Sequence, residues 1–290
     1  MAYKILITGA EGQLGQSLYN TLNKQFNVRA TSRNGNNRLN IDKLDITDID
    51  MVKSTLQSYE PNIIINSAAI TDVDFCESNK AKSRMVNVTG LENMVKSSHL
   101  NTKIIHFSSD FIFDGQKRDY TEKSRPNPIN YYGKNKLEAE NILIGSKRTY
   151  LILRISTVFS NLGNNFFNWV YSNLQDNKKI YVACDQLINP TYTYFLSLAL
   201  VDMILLEGNG VYNYGTRNCI SKFDFSKLIA RKFNFNEDLI CKVKTKDIPS
   251  FVASRPLNCS LDCKNIQNSF DLKLPYVNES IEHLKNMYYE

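Results

Sequence analysis

The 290-residue sequence has little of what is typical of zinc proteins and of disulfide-rich secreted proteins. It contains six cysteines and three histidines. No two cysteines form a Cys-x-x-Cys pair, and Cys259 and Cys263, the closest two, lack the second pair or the histidines that a zinc site needs. His106 lies in an apolar stretch, where a satisfied core histidine is expected. We therefore predict reduced thiols and no metal site.

The sequence also lacks long hydrophobic runs and blocks of basic residues. No apolar run approaches the roughly 20 residues of a membrane-spanning helix, and the first apolar segment starts at Lys4 without a secretory signal before it. The net charge of +6 is spread along the chain, with none of the interleaved aromatic residues that nucleic-acid surfaces use. We expect a cytoplasmic protein that binds neither membranes nor nucleic acids, and whose mild positive charge suits anionic small molecules.

What remains is the composition of an ordinary globular protein. Hydrophobic residues make up 42% and charged residues 22% of the sequence, which gives no indication of disorder. The length suffices for one large α/β domain, or for a nucleotide-binding domain with a smaller cap. There are no internal repeats or low-complexity linkers.

A glycine-rich turn follows the first apolar segment. Residues 4–8 predict a strand and residues 16–24 an amphipathic helix, with Gly9, Gly12 and Gly15 between them. The first glycine allows a tight turn, the second lets the backbone approach a pyrophosphate, and the third lets the helix pack closely. The N–H groups at the helix start can bind the phosphates. A plain turn is the alternative, but the context favours a dinucleotide site.

The end of the second predicted strand, residues 26–32, indicates which dinucleotide is bound. An NAD site usually has an acidic residue there to bind the ribose 2′-hydroxyl. This sequence instead has Thr31, Ser32 and Arg33. A hydroxyl and a guanidinium suit a 2′-phosphate, so we predict a preference for NADP(H), with NAD(H) possible. The alternative is that Arg33 is merely solvated.

Strands and helices alternate over the first half of the chain. Residues 62–67 and 103–109 predict buried strands, and residues 48–59 and 80–98 predict helices, the first of them capped by Thr47. Such alternation predicts a doubly wound parallel sheet of the Rossmann type, with ligands at the carboxyl ends of the strands. Residues 9–15, 68–71 and 108–110 all follow predicted strands and should therefore meet at that edge.

A tyrosine and a lysine lie one helical turn apart after this edge. Tyr132 and Lys136 share a face if residues 131 onward form a helix. A nearby ammonium favours the phenolate and lowers the pKa of the phenol, which lets it exchange a proton with a substrate oxygen. A surface helix is the alternative reading of the pair alone. Ser109 is placed to hydrogen-bond the same oxygen, or else simply ends its strand.

The alternation loosens in the second half. Two helices are predicted over residues 166–174 and 195–206, and Phe167 and Trp169 of the first are expected in the core. A third helix is predicted over 225–232, with Ser221 at its cap. Residues 211–214 predict a strand that returns to the main sheet. We predict an NADP(H)-binding Rossmann domain over 1–160 that includes this returning strand, and a smaller sugar-nucleotide-binding lobe formed mainly by 161–290.

Several motifs together resemble the extended short-chain dehydrogenase/reductase superfamily and, within it, the dTDP-4-dehydrorhamnose reductase family. The resemblance covers essentially the whole chain. It rests on the glycine turn through Gln13 and Leu14, on the segments 68–74, 108–113 and 132–136, and on later landmarks around Asn165, Asp185, Pro190 and Arg255.

This resemblance implies a role for specific residues. Tyr132 would be the catalytic acid, Lys136 would lower its pKa and bind the nicotinamide ribose, and Ser109 would hold the substrate carbonyl. The implied cofactor-binding residues are Gly9, Gly12, Gln13, Leu14, Ser32, Arg33, Asp45, Ile46, Ala68, Ala69, Tyr132 and Lys136. The implied substrate-binding residues are Ser109, Asp110, Phe111, Asn165 and Arg255, with a surface salt bridge as the alternative for Arg255. The resemblance also implies a homodimer.

The implied reaction is reduction of the C4 keto group of a nucleotide-linked 4-keto-6-deoxy sugar, in deoxysugar and surface-glycan biosynthesis. Phe111 and Thr157 replace a tyrosine and a tryptophan common in the family, which leaves the sugar and the base open. No cysteine follows Ser109 as in the branch that also epimerises, so we expect reduction alone. The alternatives are an epimerase or dehydratase of the same superfamily and a non-catalytic NADP-binding regulatory subunit.

Overall fold

The computed structural model describes residues 3–289, except for the side chain of Tyr289. The strands are β1 (Lys4–Thr8), β2 (Asn27–Ser32), β3 (Ile41–Lys43), β4 (Ile63–Asn66), β5 (Lys103–Ser109), β6 (Tyr150–Phe159), β7 (Ile180–Ala183), β8 (Leu187–Ile188), β9 (Pro190–Tyr192), β10 (Gly210–Tyr214), β11 (Ile220–Ser221) and β12 (Ile240–Val243).

The α-helices are α1 (Gln13–Leu22), α2 (Ile49–Tyr59), α3 (Val73–Ser78), α4 (Lys80–Arg84), α5 (Gly90–Ser97), α6 (Tyr131–Gly145), α7 (Phe166–Gln175), α8 (Thr193–Leu205), α9 (Lys222–Lys232), α10 (Lys264–Phe270) and α11 (Val277–Tyr289). A π-helical turn (Met85–Thr89) joins α4 to α5. Single 3₁₀ turns include Asp110–Ile112, directly after β5.

The main sheet is parallel throughout, as the alternation predicted. Its order is β10-β6-β5-β4-β1-β2-β3, and β9 also pairs with β6. Every residue of β4 and β5 is buried, because helices cover both faces. The Rossmann-type fold class is confirmed. The carboxyl ends of β1, β4 and β5 lie side by side, so the segments that follow them meet at one edge.

Several helix boundaries differ from the sequence prediction by up to three residues, and a predicted cap and a predicted continuous helix were wrong. Asp48, not Thr47, caps α2, because its carboxylate accepts hydrogen bonds from the N–H groups of Asp50 and Met51, both at 3.0 Å. The helix expected over 80–98 is interrupted by the π-helical turn. Asn87 within that turn bonds both the N–H and the carbonyl of Ile70, at 2.8 and 2.9 Å. The turn thus fixes the segment after β4.

The second half of the chain builds a second apolar core and adds to the first. Helices α7, α9 and α11 pack around a cluster that includes Phe167, Phe225 and Ile281, beside the parallel pair β7/β12 and the antiparallel pair β8/β11. Helix α8 packs against α1, and β10 lies parallel to β6 in the main sheet.

One strand reaches all three apolar clusters of the described residues. In β6, Leu153 belongs to the cluster with α1 and α8, Ile152 to the cluster under α2 and α5, and Phe159 to the second core. The strand changes its partner from β10 to β9 near its end, with a shift in register between Ser156 and Val158.

Candidate active site

The turn between β1 and α1 depends on close backbone contacts. Gly9 has a φ of +71°, and a Cβ there would lie 2.6 Å from the Cα of Ala68. A Cβ on Gly15 would lie 2.3 Å from the carbonyl oxygen of Gly9, so helix and turn pack as closely as predicted. Gly12 is the N-cap of α1 and offers no side-chain cap. The first N–H groups of α1 have no intrahelical partner and suit a phosphate.

A cavity of about 340 Å³ opens beside this turn. The Ser32 hydroxyl on its wall accepts a hydrogen bond from the N–H of Gly35, while Arg33 is exposed. The Asp45 carboxylate bonds the N–H and hydroxyl of Thr47, which shapes the opposite wall. The cofactor-binding candidates that line this cavity are Gly9, Gly12, Ser32, Arg33, Asp45, Ile46, Ala68 and Ala69.

A larger cavity of about 570 Å³ adjoins the first at Gly12 and Ala69. Together they run from the end of β2, past the start of α1, to the end of β5. This shape and the open start of α1 fit a dinucleotide. The predicted site residues that line the larger cavity are Gly12, Gln13, Leu14, Ala69, Ser109, Asp110, Phe111, Tyr132, Lys136 and Asn165.

The start of α6 is held firmly, which fixes the direction of Tyr132 and Lys136. The Asn130 side chain caps the helix by accepting from the N–H of Gly133 at 2.8 Å. Its amide donates to the carbonyl of Ser254, and Glu77 accepts from the N–H of Tyr131 at 2.8 Å. The helix predicted at residue 131 therefore begins there.

Ser109 and Tyr132 meet inside the larger cavity. The hydroxyl of Ser109 donates to the Asp110 carboxylate at 3.0 Å and lies close enough to the Tyr132 phenol to oppose the rise of its pKa. The Phe111 ring stands edge-on to Tyr132, with centroids 6.0 Å apart. Lys136 is buried and donates to the carbonyl of Phe107 at 2.9 Å. The three predicted catalytic residues therefore share one buried corner.

The pKa of Tyr132 differs from the sequence prediction. Burial raises it above the ordinary value of 10, while the Ser109 hydroxyl opposes that rise. Although the Lys136 Nζ lies 5.9 Å from the centroid of the Tyr132 ring, the pKa of the phenol stays above its ordinary value instead of falling below it as predicted. Sequence spacing could not reveal how strongly the phenol is desolvated. Tyr132 is thus protonated at neutral pH, and burial lowers the pKa of Lys136 to about 8.

Asp110 is a buried carboxylate directly beside Ser109. Burial raises its pKa to about 6, although Ser156, Ser109 and Lys222 act in the opposite direction. Its Oδ2 atom has no hydrogen-bond partner among residues 3–289. An unpaired buried oxygen of this kind destabilises the folded state, so its presence calls for an explanation such as a catalytic role or a bound water.

Thr157 stands on the cavity wall in a strained conformation. Its φ is +27°, which β-branched residues rarely adopt, and it lies at the register shift of β6. The shift presents Thr157 to the larger cavity together with Ile155 and Val158. Strain of this kind clusters at functional sites.

Gln13 and Asn165 link the glycine turn to the second half of the chain. The Asn165 amide donates to the Gln13 side-chain carbonyl at 3.0 Å and to the carbonyls of Ser160 and Leu162. The Gln13 amide donates to Val158. Both residues line the larger cavity, and their side chains are used mainly to hold its walls together.

Arg255 lies away from the lining of the two cavities. Its guanidinium pairs with Asp74 at 2.6 Å, donates to the carbonyl of Ala253 and covers the ring of Phe251. Asp74 also accepts from the N–H groups of Val252 and Ala253, both at 2.8 Å. Arg255 therefore makes a salt bridge, as the alternative held, but only 8% of its side chain is exposed, so the bridge is largely buried rather than on the surface. The bridge fixes the loop beside α3.

Sequence reasoning missed several residues that shape the site. Gly133 is one, because a Cβ there would lie 2.1 Å from the carbonyl oxygen of Phe111. Asn87, which fixes the segment after β4, is another. Lys222 is a third, since its charge reaches Asp110 from the other half of the chain. A glycine in the first turn of a helix was the only one of these signals visible in the sequence.

Within residues 3–289, no group of three or more His, Cys, Asp or Glu side chains is arranged to hold a metal ion. Nor is any helix in this part of the chain both long and apolar enough to cross a membrane.

Known proteins are similar to this chain in sequence and in structure. A dTDP-4-dehydrorhamnose reductase of Aggregatibacter actinomycetemcomitans is 34% identical over 285 residues, covering 93% of this chain and 94% of that protein. A crystal structure of dTDP-4-dehydrorhamnose reductase from Bacillus anthracis, in complex with NADP, superposes with a TM-score of 0.92 at 28% identity and covers 99% of this chain and 100% of that one.

A relative with a different name also matches. The methionine adenosyltransferase 2 subunit beta of Xenopus tropicalis is 28% identical, covering 91% of this chain and 81% of that protein. Residues 3–289, nearly the entire sequence, match the family described as the RmlD substrate binding domain. With its parallel sheet, glycine turn and buried Ser-Tyr-Lys corner, the chain belongs to the RmlD family of extended short-chain dehydrogenases/reductases.

Proposed function

We propose that this protein reduces the C4 keto group of a nucleotide-linked 4-keto-6-deoxy sugar, with NADPH as the reductant, as a step of deoxysugar biosynthesis. The observation that carries the proposal is the buried corner where Ser109, Tyr132 and Lys136 meet, at one end of a groove that begins at the glycine turn. The related reductases, one of them bound to NADP, support the substrate class and the cofactor.

The residues of the corner match the needs of carbonyl reduction. Bound NADPH supplies a hydride to the carbonyl carbon. Ser109 hydrogen-bonds the carbonyl oxygen, and Tyr132 protonates that oxygen as negative charge develops on it. The raised pKa of Tyr132 keeps the phenol protonated before the reaction, as an acid must be. Lys136 is mostly charged at neutral pH and stabilises the phenolate that results.

The cofactor would lie along the groove with its phosphates at the start of α1. We propose that Ser32 and Arg33, at the end of β2, hold a 2′-phosphate, because their hydroxyl and guanidinium are suited to a dianion. Two acidic residues, Glu11 and Asp45, line the same cavity, but neither takes the place at the end of β2 where an NAD site usually has its acid. Asp45, Ile46, Ala68 and Ala69 form the remaining walls, and Gln13 and Leu14 bring the first turn of α1 to the pyrophosphate.

We propose that Asp110, Phe111 and Asn165 bind the sugar, and that Thr157 sets the room available to it. The segments around the second apolar core, mainly within 161–290, would form the lobe that covers the sugar nucleotide. Arg255 would act on this lobe through the loop that it ties to Asp74. We further propose a homodimer, by analogy with the superfamily.

The reaction is expected to be reduction without epimerisation. In space, unlike in sequence, two cysteines approach the corner. The Cys259 thiol donates to the carbonyl oxygen of Asp110 at 3.6 Å, and Cys76 lies close enough to affect the pKa values of Tyr132 and Lys136. Burial raises the pKa of both thiols above the usual value, so both remain thiols and are poor bases. Incorporation of deuterium from solvent into C3 or C5 of the substrate would contradict this expectation.

The direct test measures NADPH oxidation by the purified protein with dTDP-4-keto-L-rhamnose. We expect turnover that is lost in Tyr132→Phe, which keeps the ring but removes the proton donor. If the wild-type protein binds NADPH but oxidises none with this and related 4-keto sugars, the proposal is wrong. Copurification of a partner enzyme would then favour a regulatory role, as the similarity to methionine adenosyltransferase 2 subunit beta suggests.

A further inference from the structure

Each reduction consumes the proton of Tyr132, so the enzyme needs a route by which that proton returns. Tyr132 is only 8% exposed, and its hydroxyl faces a cavity that a cofactor and a sugar would fill. Such a route is needed only if the protein carries out the proposed reduction, on which this inference rests.

Ser109 and Asp110 lie beside Tyr132 on the wall of the larger cavity. The Ser109 hydroxyl donates to Asp110 Oδ1 at 3.0 Å and lies close enough to the phenol to affect its pKa. The N–H of Phe111 donates to the Ser109 hydroxyl at 3.2 Å and keeps it in place. Because a hydroxyl can accept one proton while it donates another, Ser109 can pass a proton in either direction.

Two buried polar atoms without hydrogen-bond partners in the described part of the chain lie on the far side of Asp110. Its Oδ2 and the hydroxyl of Ser156 are buried and lack hydrogen-bond partners among residues 3–289, and the two groups face each other. Such a pair of buried polar atoms is a natural place for a bridging water. The ionisable groups that act on Asp110 or are acted on by it include Tyr132, Cys259 and Lys222.

Lys222 brings a cation from the other half of the chain to this point. It is the first residue of α9 and is partly exposed. Its Nζ lies 5.5 Å from the centroid of the Phe166 ring, and no hydrogen bond or ion pair of that atom is found within residues 3–289. Burial and the nearby Arg255 lower the pKa of Lys222 to about 8, whereas Asp110 opposes this shift.

We propose that Asp110 returns a proton to Tyr132 through Ser109, and that Lys222 connects Asp110 with solvent. After the alkoxide has taken the phenolic proton, the phenolate takes the Ser109 proton while Ser109 takes the proton of the Asp110 carboxylic acid. The Asp110 carboxylate is then reprotonated from solvent on the Lys222 side. The net result is one solvent proton transferred to the product, with no further reactant.

The titration range of Asp110 suits this role. A carboxyl group with a pKa of about 6 is protonated in roughly a tenth of the molecules at pH 7, far more than an ordinary aspartate. It can therefore both give up and recover a proton near neutrality.

The test is a rapid-mixing experiment on Asp110→Asn, which keeps the size of the side chain and removes its titration. Enzyme preloaded with NADPH is mixed with dTDP-4-keto-L-rhamnose. Because Tyr132 starts out protonated, we expect the variant to oxidise the first NADPH per site about 10²-fold faster than the later ones, a burst that the wild-type enzyme does not show. Added imidazole or acetate should restore the later turnovers in proportion to its acid form.

Lys222→Met supplies a second, independent readout, with Lys242→Met as its control. Lys242 also lies over a phenylalanine ring, that of Phe223, but its charge does not reach Asp110. Loss of the Lys222 charge should raise the pKa of Asp110 and therefore shift the pH profile of steady-state turnover to higher pH. Lys242→Met should leave that profile unchanged.

Other results would overturn the proposal. A first turnover of Asp110→Asn that is as slow as the later ones would assign Asp110 to substrate binding or folding instead. Unchanged steady-state turnover of Asp110→Asn, or a pH profile of Lys222→Met identical to that of the wild-type enzyme, would show that protons return by another route. If the wild-type enzyme oxidises no NADPH with the sugar while it binds the cofactor, the proposed function itself fails, and the relay fails with it.

Discussion

Gly133→Ala should damage the active site although alanine favours helices. Gly133 lies in the first turn of α6, immediately after Tyr132, where an ordinary Gly→Ala exchange stabilises a helix by about 1 kcal/mol. Here the new Cβ would lie 2.1 Å from the carbonyl oxygen of Phe111 and 2.9 Å from its carbon. Real Cβ atoms essentially never come closer than 3.0 Å to another heavy atom, so one of the two segments must move.

The size of that movement sets the expected loss. The gap between Gly133 and Phe111 must widen by about 1 Å, and Phe111 belongs to the 3₁₀ turn that begins right after Ser109. A misplacement of about 1 Å between reacting groups can cost about 10² in rate. Overpacking costs about 1–3 kcal/mol, which cancels or exceeds the gain in helix propensity.

The assay compares kcat for NADPH oxidation and urea unfolding of Gly133→Ala with those of Gly145→Ala. Gly145 ends the same helix, and a Cβ there meets nothing within 4 Å. We expect Gly145→Ala to keep its rate and to gain up to about 1 kcal/mol, and Gly133→Ala to lose rate and gain no stability. A Gly133→Ala enzyme with wild-type kcat and a higher urea midpoint would refute the steric argument.

Three further predictions test other parts of the structure. Arg154→Leu should cost about 3–5 kcal/mol in urea unfolding, because it leaves Glu140 buried without its partner, whereas Arg29→Leu, which breaks an exposed pair, should cost less than about 1 kcal/mol; equal losses would contradict this. The kcat/KM for the sugar should fall as pH rises through about 8, where Lys136 loses its charge, and a profile flat to pH 10 would argue against a role for that charge. Arg33→Ala should raise the KM for NADPH about 10- to 100-fold and leave the KM for NADH unchanged. An equal effect on both values would show that Arg33 does not bind the 2′-phosphate.

Local patterns made much of the fold predictable from the sequence. Glycine spacing between an apolar strand and an amphipathic helix specified the turn at Gly9, and the four-residue spacing of Tyr132 and Lys136 specified one face of α6. The alternation of strands and helices fixed the sheet type, because the handedness of the crossovers leaves few topologies. These features depend on neighbours in sequence.

The rest depends on contacts between distant segments. The raised pKa of Tyr132 comes from burial, and the contact of Gly133 with Phe111 joins residues that the sequence separates by a long loop. Trp169, expected in the core, is 40% exposed, because helical periodicity does not say which of two apolar flanks faces inward. Lys222 carried no sequence signal, since its meaning arises only where α9 approaches the end of β5.

The strand β6 also determines how cooperatively the protein should unfold. Since Leu153, Ile152 and Phe159 anchor three different apolar clusters, no cluster can lose β6 without opening the other two. Two regions that look separable on a topology diagram are therefore expected to melt together, as a single calorimetric transition whose van't Hoff and calorimetric enthalpies agree. For the same reason, a protein cut in the loop that follows β6 should yield two fragments that recover their structure only when mixed.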